Sequence, residues 1–191
     1  MGKRSNFERI PRDYYPTPYE AVVPLAGHLP SVPFTYCEPC AGDGRLVRHL
    51  SKFGGTCTRA CDVEPRGIDG SAPLPIIEQQ SALPDLMGGG LANKPVNYDF
   101  IITNPPWQRD ILHKMIEHFR HFSCAWLLFD GAWAFTKQAA PYLKYCAKIV
   151  VVGRVKWIEG SEGAGKDDCA WYLFSQFPTT RGAPAFFGAS T

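Results

Sequence analysis

A four-residue motif, Asn104-Pro105-Pro106-Trp107, directly follows the largely apolar run 98–103. The run predicts a buried strand. Two consecutive prolines lack amide hydrogens and restrict the backbone, so the chain must leave the sheet rigidly at this point. The carboxamide oxygen of Asn104 and the carbonyls of Asn104 and Pro105 can then face one point in space, beside the indole of Trp107. Converging acceptors next to a flat aromatic ring suit a planar group that carries an NH2, such as adenine.

The residue types in this motif fit one kind of chemistry. The lone pair of an exocyclic amine is delocalised into its ring, so the amine is a weak nucleophile. Acceptors that take both N–H hydrogens shift the nitrogen toward sp3 geometry and free the lone pair for in-line attack on a strong electrophile such as a sulfonium methyl. Asn104 is a neutral acceptor, so it polarises and positions the amine without deprotonating it.

A glycine-containing turn at 37–44 separates an apolar stretch, 32–36, from a segment whose apolar residues keep helical spacing, 45–53. In a strand-to-helix turn of this kind, glycine lets the backbone approach a ligand closely. The turn lacks the GxGxxG spacing of a dinucleotide site. A second predicted strand, 56–61, leads into Asp62, about 20 residues after the turn, where an acidic side chain can hold ribose hydroxyls.

These motifs make the chain resemble the S-adenosylmethionine-dependent DNA adenine-N6 methyltransferases over roughly residues 14–175. Residues 38–44 are similar to the cofactor motif of that family, Asp-Pro-x-x-Gly-x-Gly. Residues 104–107 match its Asp/Asn-Pro-Pro-aromatic catalytic motif, and 15–18 match the N-terminal element that closes over the methionine end of the cofactor. The resemblance implies an α/β, Rossmann-like class I methyltransferase fold, with a mostly parallel seven-stranded sheet, helices on both faces and an antiparallel last strand.

The resemblance also assigns roles to individual residues, with S-adenosylmethionine as the cofactor. The implied catalytic residues are Asn104, Pro105, Pro106 and Trp107. The implied cofactor-binding residues are Tyr15, Thr17, Glu38, Pro39, Ala41, Gly42, Gly44, Asp62 and Ser81. Ser81 stands where the family often carries an Asp beside the adenine ring of the cofactor. The implied substrate-binding residues are Trp107, Trp157 and Lys156, of which the tryptophans would stack on the target base and Lys156 would meet a phosphate. Core packing is an equal alternative for Trp157.

The activity implied by the resemblance is methyl transfer to adenine N6 in DNA, and the partner is therefore DNA, with RNA possible. The amine of a stacked base is inaccessible, so the base would flip out. The chain has no obvious target-recognition domain, which favours relaxed or short-site specificity, or a specificity partner. The alternatives are methylation of adenine in RNA, of cytosine N4 or of a protein glutamine, and a non-catalytic DNA-binding protein on the same scaffold. Monomer and homodimer both stay open.

The length of 191 residues and the hydrophobic content of 45% predict one globular domain. We expect a basic N-terminal arm at 1–13, a methyltransferase domain at 14–177 and a flexible tail at 178–191. Within the domain, Thr17 is expected to cap a helix that Pro18 and Glu20 help to begin. The net charge of +2 permits nucleic-acid binding, and the arm could touch phosphates. Without an apolar segment of membrane length or a signal peptide, we expect no membrane partner and a cytoplasmic location in a prokaryote or a virus-infected host.

Three other patterns suggest sites that we do not expect to form. The cysteine spacing resembles a zinc site, at Cys37, Cys40, Cys57 and Cys61. A metal there would block the predicted pocket, so free buried thiols and no metal are expected. A second set lies at helical spacing, at His113, Glu117 and His121, and a solvated helix face is the expected explanation. The loop 160–167 approaches a P-loop, but it has Asp at 167 and precedes a strand.

Overall fold

The computed structural model describes residues 11–66, 76–83, 98–122, 124–158, 165, 167–180 and 182–189. The strands within these ranges are β1 (Phe34–Glu38), β2 (Gly55–Asp62), β3 (Ile77–Gln79), β4 (Phe100–Thr103), β5 (Cys124–Asp130), β6 (Cys146–Gly153), β7 (Cys169–Phe174) and β8 (Ala185–Phe187). The α-helices are α1 (Tyr19–Ala26), α2 (Arg45–Ser51), α3 (Arg109–Phe119) and α4 (Ala140–Leu143). Short 3-10 turns occupy Pro11–Asp13, Gly131–Phe135 and Lys137–Ala139.

The strands form one sheet in the order β3-β2-β1-β4-β5-β7-β6-β8. Neighbouring strands are parallel except that β7 runs antiparallel to both β5 and β6. The predicted fold class is confirmed. The sheet has eight described strands rather than seven, because β8 pairs with β6 at Lys148↔Ala185 and Val150↔Phe187. This strand lies in the predicted tail, and its three residues are too few to show an alternating pattern in the sequence.

Both faces of the sheet are covered, which explains why the central strands β4, β5 and β7 are almost continuously apolar. Successive side chains of a strand point to opposite faces, so Ile101 and Ile102 enter different core clusters, and both are fully buried. The cluster that holds Ile101 includes Ile116 of α3, and the one that holds Ile102 includes Leu25 of α1 and Leu50 of α2. Within the described ranges, no helix is both long enough and apolar enough to span a bilayer.

The start of α1 differs from the predicted cap. Pro18, with extended backbone angles of φ −73° and ψ 155°, is the N-cap residue, and no side chain caps the helix. Thr17 is instead buried and lies on the wall of a cavity. The carboxylate of Glu20 accepts the backbone N–H of Lys156 at 3.1 Å, so it connects α1 to the loop after β6. An extended Pro18 turns Thr17 away from the first helical amides, and this prediction was therefore wrong.

Trp171 of β7 provides a test of how α1 is attached to the sheet. Its buried indole N–H donates to the Ala21 carbonyl at 2.7 Å. Trp171→Phe removes this hydrogen bond and part of the buried ring, so we expect the free energy of unfolding to fall by about 1–3 kcal/mol, measured by urea denaturation. Phe135, which is 87% exposed, is the control, and Phe135→Leu should change stability by less than about 0.5 kcal/mol. Equal effects of the two substitutions would contradict the role of Trp171.

Candidate active site

A cavity of about 420 Å³ opens where β1, β2 and β4 end. The connection after β1 passes to β2 on one side, and the connection after β4 passes to β5 on the other, so the cavity lies at the point where the strand order reverses. Nine of the predicted site residues line it: Tyr15, Thr17, Pro39, Ala41, Gly42, Asp62, Ser81, Asn104 and Pro106. The other six predicted site residues are not part of this lining: Glu38, Gly44, Pro105, Trp107, Lys156 and Trp157.

The glycine turn is held to the end of β2 by Asp62. Gly42 and Gly44 have φ of 52° and 74°, the left-handed region in which glycine is unstrained. The Gly42 N–H donates to Asp62 Oδ2 at 2.8 Å, and the Glu64 N–H donates to Asp62 Oδ1 at 2.8 Å. Burial raises the pKa of Asp62, and the two backbone donors oppose that rise. Each carboxylate oxygen has further acceptor capacity, so Asp62 can still accept a hydroxyl from the cavity.

Glu38 is fully buried outside the cavity lining, and it connects the glycine turn to the motif that begins at Asn104. This fully buried carboxylate accepts the Cys40 N–H at 3.0 Å and the hydroxyl of Thr103, both on Oε1. Its Oε2 has no hydrogen-bond partner among the described residues. Burial raises the pKa of Glu38 to about 8, although both donors favour the charged form. Since Thr103 immediately precedes Asn104, the position of Asn104 is tied to that of the turn.

The carboxamide of Asn104 is held at both ends. Its Nδ2 donates to the Tyr15 carbonyl at 3.1 Å, and its Oδ1 accepts the indole N–H of Trp107 at 3.2 Å. Pro105 is buried, whereas Pro106 faces the cavity. The amide therefore lies between the N-terminal segment and the end of its own motif.

An aromatic cluster of Tyr15, Trp107 and Trp157 adjoins this amide. The rings of Trp107 and Trp157 meet edge to face with centroids 5.5 Å apart and an interplanar angle of 89°. Tyr15 and Trp157 meet at 6.5 Å and 68°. Trp107 and Trp157 are half-buried and pack against the core. Part of the Trp157 ring is therefore used in core packing, and part of it stays exposed. The side chain of Lys156 is exposed.

The segment 12–17 also lines the cavity, and it includes a residue that the sequence motifs did not identify. The ring of Tyr14 lies on Gly42, so a Cβ atom at position 42 would stand 2.8 Å from a ring carbon. The guanidinium of Arg66 lies 4.0 Å from the centroid of that ring. Burial and the neighbouring Asp43 carboxylate raise the pKa of Tyr14 to about 12. Tyr14 directly precedes the matched element 15–18, which is the one signal that could have indicated it.

Further residues line the cavity that were not among the predicted site residues. They are Arg12, Asp13, Cys40, Asp43, Leu46, Val63, Glu64, Arg66, Ala82, Gln108, Ile111 and Met115. Arg12 forms an ion pair with Glu64 at 3.2 Å, which joins the N-terminal segment to the loop after β2. Arg12 and Asp13 have positive φ, of 62° and 51°, a conformation that costs energy in residues other than glycine.

The other patterns of the sequence do not gather into sites in the described ranges, where no three His, Cys, Asp or Glu side chains are placed to hold a metal. The thiols of Cys57 and Cys61 contact backbone carbonyls, and burial raises the pKa of each to about 12. His113 accepts the indole N–H of Trp133 at 3.0 Å. Of the P-loop-like segment only Gly165 and Asp167, and of the basic arm only residues 11–13, lie within the described residues.

Comparison with solved structures identifies the fold, whereas comparison with known sequences finds no match. No family profile matches the chain, and no curated protein matches it. A dimethyladenosine transferase from Plasmodium falciparum superposes with a TM-score of 0.51 at 17% identity, over 85% of this chain and 61% of that one. The chain thus spans less than two thirds of that enzyme.

Two further structures superpose over more of their own length. A protein assigned as an RNA methyltransferase, from Pyrococcus horikoshii, gives a TM-score of 0.51 at 12% identity, with 92% of each chain covered. A protein assigned as a class I S-adenosylmethionine-dependent methyltransferase, from Listeria monocytogenes, gives 0.52 at 10% identity, over 95% of this chain and 68% of that one. With the strand order described above, these likenesses show that the chain has the Rossmann-like fold of the class I methyltransferases.

The contact between Gly42 and Tyr14 can be tested with a pair of glycine substitutions. Gly42→Ala adds a strained φ and a clash with the ring, whereas Gly54→Ala adds only the strain, because nothing lies within 4 Å of the position that its new methyl group would take. We expect both to reduce the free energy of unfolding by about 1–2 kcal/mol through strain. The additional loss in Gly42→Ala should shrink in a Tyr14→Ala background, measured as a double-mutant cycle in urea. An unchanged difference would show that Tyr14 does not rest on Gly42.

The buried carboxyl of Glu38 predicts a pH dependence of stability. Between its ordinary pKa of 4.5 and its raised pKa of about 8, the folded protein holds a proton that the unfolded chain has released. This contribution is fully present below the lower value and is lost as pH rises through the upper one. Glu38→Gln keeps an acceptor oxygen and removes the titration, so the decline in unfolding free energy across this range should shrink by roughly 2–4 kcal/mol.

Asp110→Asn is the control for this experiment, since Asp110 is an exposed carboxylate at the start of α3. Unfolding free energies from urea titrations at several pH values would give the comparison. If Glu38→Gln and the wild type lose stability in parallel as pH rises, Glu38 is not the buried acid that the structure indicates.

Proposed function

We propose that this protein transfers the methyl group of S-adenosylmethionine to N6 of adenine in DNA. The observation that carries the proposal is that Asn104 lines the same cavity as the glycine turn and Asp62. Such an arrangement fits a site with a cofactor on one side of a fixed hydrogen-bond acceptor and an amine on the other.

The residues of the cavity fit this cofactor. The volume of about 420 Å³ falls in the range of small-ligand sites. Asp62 offers acceptor capacity for ribose hydroxyls, and Gly42 lines the cavity beside it, with the ring of Tyr14 against the position that a Cβ atom would take. Four acidic side chains line the cavity, Asp13, Asp43, Asp62 and Glu64, against two arginines, Arg12 and Arg66, and this excess of negative charge suits a ligand that carries positive charge on its sulfonium and ammonium groups. When bound, the cofactor supplies an electrophilic methyl carbon on sulfur.

The catalytic step assigns distinct roles to the motif. Asn104 Oδ1 accepts one N6 hydrogen of adenine and a backbone carbonyl of the motif accepts the other, which frees the nitrogen lone pair. With the cofactor bound, that pair would form the new N–C bond as the C–S bond broke to give a neutral thioether, and the surplus proton on nitrogen would pass to solvent. The prolines fix the backbone, so the acceptors need no reorganisation during the reaction.

DNA is the proposed substrate because of the residues around Asn104. The half-buried Trp107 and Trp157 provide aromatic surface for a flipped base, and the exposed Lys156 beside them suits a phosphate. The resemblance of the motif to that of the DNA adenine-N6 enzymes supports the same choice.

The direct test measures transfer of labelled methyl groups to unmethylated DNA, RNA and protein in parallel, with the digested products identified by mass spectrometry. We expect N6-methyladenine in DNA. Label in RNA or in glutamine alone would overturn the substrate and keep the chemistry. Label in none of them, together with failure to bind S-adenosylmethionine in calorimetry, would favour the non-catalytic alternative.

Asn104→Ala separates catalysis from cofactor binding. It removes the acceptor that acts on the amine, so we expect the rate of transfer to fall by about 100-fold or more, with the Kd for S-adenosylmethionine nearly unchanged. Asp62→Ala should instead weaken cofactor binding. Gln176→Ala is the control, because it removes an exposed carboxamide far from the site. Gln176 follows β7, which runs antiparallel to β5 and therefore ends beside the start of β5. Near-normal turnover in Asn104→Ala would exclude the assigned mechanism.

A further inference from the structure

The hydrogen bond between Trp107 and Asn104 has a consequence for how the catalytic amide is oriented. A carboxamide can rotate so that its oxygen and its NH2 exchange places, and only the oxygen can accept from a substrate amine. An indole N–H is a donor without acceptor capacity, and a backbone carbonyl is an acceptor without donor capacity. The Trp107 N–H at 3.2 Å and the Tyr15 carbonyl at 3.1 Å therefore define which end of Asn104 is the oxygen.

Rotation of the amide would break both hydrogen bonds at once. It would place NH2 against the indole N–H and place the carboxamide oxygen against the Tyr15 carbonyl, so two attractive contacts would become two repulsive ones. Asn104 is half-buried, which limits the water that could compensate for them. The oxygen end is consequently fixed before any substrate arrives.

The indole can play this part because its own position is restrained. Trp107 follows two prolines, which limit the backbone that carries it. Its ring meets Trp157 edge to face at 5.5 Å, and Trp157 in turn contacts Tyr15, the residue whose carbonyl holds the other end of the amide. The two partners of Asn104 thus belong to one connected aromatic cluster, made of Tyr15, Trp107 and Trp157.

We propose that Trp107 is a positioning residue that acts through its indole N–H: it holds the Asn104 carboxamide with Oδ1 directed for catalysis. The oxygen can accept two hydrogen bonds, so it retains one place for an N–H of the substrate amine while the indole occupies the other. A phenylalanine or tyrosine ring would offer a stacking surface at this position but no N–H there. This proposal rests on the proposed function and adds to it a role distinct from stacking on the base.

The kinetic test is Trp107→Phe, which keeps an aromatic ring and deletes the donor. We expect kcat for methyl transfer to fall by about 10-fold or more, with the Kd for S-adenosylmethionine within about two-fold and the KM for DNA changed less than kcat. Trp171→Phe is the matched control, since it also deletes an indole hydrogen bond but acts on α1, and it should reduce stability without lowering kcat. An unchanged kcat in Trp107→Phe would overturn the proposal.

A second measurement does not depend on activity. In ¹⁵N-labelled protein, the Trp107 indole N–H should exchange slowly with solvent, and Asn104→Ala should shift its signal and speed its exchange by about 10-fold or more. The indole signal of Trp171 serves as the reference, because its acceptor is the Ala21 carbonyl. An indole signal of Trp107 that is unaffected by Asn104→Ala would overturn the proposal even if Trp107→Phe lost activity through misfolding.

The two measurements distinguish failure of this inference from failure of the proposed function. Coupling between the indole signal and Asn104, in a protein that methylates neither DNA, RNA nor protein and does not bind S-adenosylmethionine, would refute the proposed function and with it the catalytic purpose assigned to the contact. Normal methylation of DNA by Trp107→Phe would refute only the role of Trp107.

Discussion

The buried carboxyl group of Glu38 is the constraint on which the geometry of the site depends. A charge or a carboxyl group without donors is costly in a protein interior, so the groups that satisfy it must come to it. The Cys40 amide and the Thr103 hydroxyl meet at one oxygen of Glu38 and so bring the glycine turn and the end of β4 together. Strand pairing alone aligns β1 and β4 only at Tyr36↔Phe100 and Cys37↔Ile101, below the site. The polar contact extends this alignment to the residue before Asn104.

The segment 12–17 also lines the cavity and contacts both motifs. Tyr14 rests on the glycine turn, and the Tyr15 carbonyl holds Asn104, so two neighbouring residues contact the two motifs that lie about 60 positions apart in the chain. Arg12 adds an ion pair to Glu64 at the end of β2. Because these contacts are made to the walls of the cavity, the segment is part of the site rather than an addition to it.

Much of this architecture is predictable from the sequence, because its signals are local. The apolar run into Asn104, the glycines with left-handed φ and the acidic end of β2 each depend on a few adjacent residues, and the parallel order brings them to one edge. Three features were not predictable. Pro18 replaces Thr17 at the helix start, β8 forms through pairing with a distant strand, and the contact of Tyr14 with Gly42 depends on the path of the chain between them. Each of these is decided by tertiary contacts that leave no periodic pattern.

The hydrogen bond from Asn104 to Tyr15 is made to a main-chain carbonyl, so it does not depend on which side chain stands at position 15. Every amino acid carries that oxygen, so exchanging the side chain at position 15 leaves the acceptor in existence. The ring of Tyr15 makes a separate contact with Trp157, and the position of the acceptor depends only on the path of the backbone. Insertion or deletion of one residue between Tyr15 and Thr17 would thus move this carbonyl, whereas a new side chain at position 15 would leave it in place.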